Sequence, residues 1–127
     1  MVKRSVLIVD RSEETREVLK TALERRGVRT FAAREARRGL ELARQHHPDL
    51  IVLDLEVEQS PPTEVCGPFA EQSEADRTPL VVLGSCRRSL FGQLRGEFVA
   101  KPYHFGPLIR RIEELLEATG RPRARSA

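Results

Sequence analysis

Short, uninterrupted apolar runs separated by helix-like stretches constrain this chain more than any other feature. Val6-Leu7-Ile8-Val9, Leu50-Ile51-Val52-Leu53 and Leu80-Val81-Val82-Leu83 each run four residues without a polar break. A strand with no polar alternation is covered on both faces, as in a parallel sheet. Residues 5–9, 28–31, 50–55, 80–83 and 98–100 are therefore read as five strands. Between the first two, Ser12 is a helix N-cap, Glu13 and Glu14 suit the positive helix start, and Val18, Leu19, Ala22 and Leu23 form a stripe that Gly27 ends. Residues 34–46 make a second helix, stopped by Pro48. Leu108, Ile109, Ile112, Leu115 and Leu116 line a last helix opened by Pro107. Strand and helix alternate five times, which predicts an α/β fold with helices on both faces of a parallel sheet.

Two stretches resist the pattern. Residues 59–78 should hold the third helix, but Pro61, Pro62, Gly67 and Pro68 predict a short helix or one broken near Gly67-Pro68. Residues 85–96 leave room for about two turns around 88–94.

The remaining composition narrows the function classes. A chain of 127 residues is one domain's worth of sequence. Four-residue apolar runs exclude a transmembrane helix, and the start lacks the apolar centre of a signal peptide, so the reading is cytoplasmic. Two cysteines, Cys66 and Cys86, make neither a disulfide framework nor a full zinc site. The net charge of +3 equals the contribution of Arg121, Arg123 and Arg125. Residues 120–127 thus read as a basic, flexible tail on a neutral domain over residues 1–119. A DNA-binding role has only that tail in its favour.

In an open parallel sheet, ligands bind beyond the carboxyl ends of the strands, where strand order reverses. Asp10 closes the first strand, Asp54 lies near the end of the third, Ser85 follows the fourth and Lys101 the fifth. A carboxylate among apolar residues in a central strand is costly unless cations or donors meet it. Lys101 is one of only three lysines among 22 basic residues, which fits a need for a compact point charge.

Val6-Leu7-Ile8-Val9-Asp10, Pro48-Asp49-Leu50-Ile51-Val52-Leu53-Asp54-Leu55, Thr78-Pro79-Leu80-Val81-Val82-Leu83 and Lys101-Pro102 together resemble the receiver domains of two-component response regulators, from about residue 3 to residue 118. The resemblance implies a flavodoxin-like, doubly wound, five-stranded sheet of order 2-1-3-4-5. It implies that Asp54 accepts a phosphoryl group from a histidine kinase or phosphotransfer protein, that Lys101 contacts the phosphoryl oxygens, and that Asp10 belongs to the acidic pair holding Mg²⁺. Phe98 matches the aromatic switch position. Pairing of two copies through the last helices and strand is the implied homodimer.

The chain also departs from that family. Arg11 stands where the second Mg²⁺-binding acid is expected, and Gly84 where a hydroxyl is expected, with Ser85 one position late. Formal charges of Asp10, Asp54, Arg11 and Lys101 cancel without a metal, so Arg11 is expected to pair with Asp54 or Asp10 and leave Mg²⁺ binding weak or absent. Arg11 pointing outward is the competing arrangement. Glu56 either returns a carboxylate to the metal or faces solvent. Two mechanisms remain: a stand-alone receiver phosphorylated on Asp54, or a pseudo-receiver that binds an unidentified protein without phosphorylation. Neither is an enzyme beyond phosphorylation and dephosphorylation of its own Asp54. A flavin-binding enzyme is disfavoured, because Asp10-Arg11-Ser12-Glu13 is acidic and lacks a phosphate-cradling glycine.

Overall fold

The computed structural model describes residues 3–85 and 96–126. Five parallel strands, β1 (Ser5–Val9), β2 (Arg29–Ala33), β3 (Leu50–Asp54), β4 (Leu80–Gly84) and β5 (Gly96–Ala100), form one sheet of order β2-β1-β3-β4-β5. The helices among the described residues are α1 (Glu13–Arg25), α2 (Ala36–His46), α3 (Pro62–Asp76) and α4 (Phe105–Ser126). The fourth helix expected at 88–94, and Cys86 with it, lie outside the described residues.

The pleat divides the core in two. Leu7, Val9, Ile51, Leu53, Leu80 and Val82 face α2 and α3, while Val6, Ile8, Leu50, Val52, Val81 and Leu83 face α1 and α4. That division explains the unbroken apolar runs, since both faces of β1, β3 and β4 are fully buried. Ser12 caps α1 by accepting the Thr15 N–H at 3.1 Å. Gly27 follows that helix at φ +82°, a conformation that costs glycine least. Leu108, Ile109, Ile112 and Leu116 are the buried face of α4, and Pro107 falls within its first turn. The helix continues through residues 120–126, the segment that the sequence marks off as a tail.

The break expected near Gly67-Pro68 does not occur. α3 is continuous from Pro62 to Asp76 with Pro68 inside it. Pro68 is exposed, as is Glu64 one turn before it. The carbonyl that the ring leaves unbonded therefore meets water, while Val65, Cys66 and Phe69 hold the opposite face in the core.

Gly39 lets α2 approach β1 closely. A Cβ there would lie 2.6 Å and 3.0 Å from the two methyls of Val9 and 3.3 Å from Phe69 Cζ. Gly39→Ala is expected to destabilise by about 1–2 kcal/mol, overpacking outweighing the roughly 1 kcal/mol gain in helix propensity. Urea unfolding of Gly39→Ala, Val9→Ala and the double variant checks this, with a favourable coupling of about 1 kcal/mol expected between the two sites.

Among the described residues, no helix is long and apolar enough to cross a membrane.

Candidate functional site

The parallel register brings the two aspartates together. Val9 pairs with Leu53, so one step further sets Asp10 beside Asp54, at the β1/β3 junction where strand order reverses. β4 and β5 deliver the rest of the rim: Gly84 pairs with Ala100, and the Lys101 N–H donates to the Gly84 carbonyl at 3.0 Å. A cleft of about 700 Å³ opens there, lined by the expected Asp10, Arg11, Asp54, Glu56, Ser85 and Lys101, and by Ser12, Thr15, Pro102 and Tyr103.

Asp10 and Asp54 are only 3% and 5% exposed. Each carboxylate accepts a backbone N–H two residues on: Ser12 to Asp10 at 2.9 Å, Glu56 to Asp54 at 3.0 Å. Lys101 Nζ donates to Asp54 Oδ1 at 2.8 Å and to Glu56 Oε1 at 3.0 Å. Glu56 Oε2 in turn accepts the Ser85 N–H at 3.3 Å. β3 ends at Asp54, so Glu56 reaches the rim from a turn rather than by strand alternation.

Burial pushes the Asp10 carboxyl up to about 6, with the neighbouring Asp54 charge adding to the rise and the Ser12 N–H opposing it. Burial works against the Lys101 ammonium, but its hydrogen bonds to Asp54 and Glu56 outweigh that and raise its pKa. Hydrogen bonds from Lys101 and then Ser85 hold Glu56 below the usual carboxylate range. The pocket is thus rich in negative charge around one ammonium.

The pairing expected of Arg11 is not found. Arg11 is exposed at the edge of the cleft, and among the described residues its guanidinium makes no ion pair with Asp10 or Asp54. Lys101 already meets Asp54, and the Asp10 carboxylate is met by the Ser12 N–H, so neither acid needs it. Arg16, which the sequence did not single out, instead binds this loop. Its Nη1 donates to the Asp10 carbonyl at 2.7 Å and the Arg11 carbonyl at 3.1 Å. Tyr103 packs edge-on beside Phe105 and also lines the cleft, and burial raises its pKa. Its place two residues after Lys101, on the same loop, was the available signal.

Ser85 is exposed on the cleft, and Phe98 is half-buried against the α2/α3 side of the core. His46 stacks on Phe31, His47 meets Asp76 at 3.1 Å, and exposed His104 does not line the cleft.

The donor set also bears on a metal. Among the described residues, no group of three or more His, Cys, Asp or Glu side chains gathers as ligands. Asp10 and Asp54 do lie together, and two carboxylates are enough to anchor Mg²⁺, which keeps several of its waters. Glu56 is turned to Lys101 and Ser85, so these two acids are the donors that fit a hard cation.

Comparison with known proteins agrees with the topology. The family described as Response regulator receiver domain matches residues 6–113. The "Polar-differentiation response regulator DivK" of Brucella ovis is 30% identical over 80 residues, covering 63% of this chain and 65% of DivK. The "Probable transcriptional regulator ycf27" of Cyanophora paradoxa is 29% identical over 122 residues, covering 94% of this chain and 51% of that protein. The chain thus spans between half and two thirds of these curated relatives. Among solved structures, the receiver domain of HemR from Leptospira biflexa superposes with a TM-score of 0.78 at 25% identity, covering 90% of this chain and 94% of that one. The chemotaxis response regulator CheY4 of Vibrio cholerae gives a TM-score of 0.76 at 20% identity, covering 90% and 99%. With the family match spanning most of the chain and the strand order agreeing, this chain belongs to the response regulator receiver domains of two-component signalling.

Proposed function

We propose that residues 1–119 form a receiver whose Asp54 accepts a phosphoryl group from a histidine kinase or phosphotransfer protein. The observation that carries this reading is the 2.8 Å contact between Lys101 Nζ and Asp54 Oδ1 at the mouth of a cleft shared with Asp10. An Asp54 oxygen attacks phosphorus, the bond from phosphorus to the donor's imidazole nitrogen breaks, and that nitrogen keeps the electron pair. An aspartyl phosphate results. Lys101 then balances charge on the phosphoryl oxygens. Asp10 and Asp54 would hold Mg²⁺, which when bound supplies further positive charge to those oxygens. Ser85, which lines the cleft after β4, is the candidate hydroxyl donor to that position, and Phe98 is the candidate switch on β5.

Among the described residues only two carboxylates fit the metal, and this favours a second reading, a module that binds its partner without phosphorylation. Intact mass after incubation with acetyl phosphate and Mg²⁺ separates the two. One phosphoryl adduct is expected, and Asp54→Asn should abolish it. No adduct on the unaltered protein would leave the second reading in place.

A further inference from the structure

We infer that Glu56 is an internal ligand of the cleft, its carboxylate occupying donors that a phosphoryl group on Asp54 would require. This rests on the phosphoacceptor reading only for the identity of the displaced anion. Glu56 extends from the turn after β3 and takes Lys101 on one oxygen and the Ser85 N–H on the other, at 3.0 Å and 3.3 Å. Those donors come from the ends of β5 and β4, and one of them, Lys101, also meets the carboxylate of Asp54 at 2.8 Å. The Glu56 backbone N–H meets Asp54 as well, at 3.0 Å. Its side chain is 49% exposed and anchors no core packing, so removing its charge leaves the fold intact.

A carboxylate held by an ammonium and an N–H mimics part of a tetrahedral anion. It brings two oxygens and one charge, whereas a phosphoryl group brings three oxygens and more charge. The incoming group must displace Glu56 from Lys101 and Ser85, so Glu56 sets a threshold for occupancy. In this arrangement the Glu56 carboxylate serves the lysine side of the cleft.

Two measurements on the full chain test this. In the first, inorganic phosphate is titrated into protein labelled with ¹⁵N-lysine, and the Lys101 signal is followed; Lys3 and Lys20 serve as internal controls. Glu56→Gln is expected to bind phosphate about fivefold more tightly than the unaltered protein, the size set by a half-exposed ion pair, and the gain should shrink at high salt. Glu56→Ala should do at least as much. Equal affinity in all three proteins overturns the inference. In the second, the rate of phosphoryl transfer from acetyl phosphate is followed by intact mass, with Glu56→Gln expected to be about fivefold faster. An equal or slower rate in the variant overturns the inference and leaves Asp54 as acceptor. Absence of any adduct together with tighter phosphate binding by Glu56→Gln sinks the acceptor reading and upholds Glu56 as the ligand.

Discussion

Truncating Phe69 to alanine is expected to remove about 3–5 kcal/mol of folding stability, a large part of what a domain this size possesses. Phe69 is 1% exposed and fills the space between α3, α2 and the sheet. The cost of such a truncation depends on how far the neighbours can collapse into the void. Gly39, on the facing helix, has no side chain to turn inward, and even a Cβ there would lie 2.6 Å from a Val9 methyl. α2 cannot move closer to β1, so the void persists and the cost falls at the upper end of that range. Denaturant unfolding checks this through a lowered midpoint at unchanged slope, and Phe69→Leu should recover most of the loss.

Asp10→Asn is expected to stabilise the metal-free protein at pH 7.5 by about 2 kcal/mol. Burial raises the Asp10 carboxyl from its ordinary 3.8 to about 6, with Asp54 beside it and Lys101 opposing. Between those values the folded chain binds more protons than the unfolded one, so this group's contribution to stability falls as pH rises from about 4 to about 6 and is flat above. Asparagine never ionises, and its side-chain oxygen keeps the bond to the Ser12 N–H. Glu56 and Asp76 are shifted the other way and titrate in both proteins, so the informative quantity is the difference between variant and parent. Unfolding in EDTA across pH 4–8 should show that difference appear through this window and persist above it. A difference that grows toward pH 4 would contradict the burial argument. Mg²⁺ should stabilise the parent more than the variant and so narrow the gap.

The strands were legible because burial on both faces writes itself as apolar runs. β1 has the expected limits, and the others shift by one or two residues. The gathering of Asp10, Asp54 and Lys101 was legible too, since parallel strands place successive carboxyl ends along one rim. The direction of Arg11 was not. Charge counting weighs which groups sit near one another but not where a side chain leaves the backbone, and Arg11 is exposed at the edge of the cleft without pairing with either aspartate among the described residues. Glu56 was left open for the same reason, because strand alternation no longer applies after Asp54. Arg16 acts through its reach to two carbonyls, and a long side chain on the first turn of a helix carries no sequence mark of that kind.

The proline in α3 carries a consequence for how this wall of the molecule tolerates change. Its ring sits on the wet side, where hydration replaces the bond it forbids. The same ring at Phe69 would strand the carbonyl of buried Val65 in a dry interior. The outer surface of that helix is therefore permissive to residues that disrupt backbone bonding, and its inner surface is not.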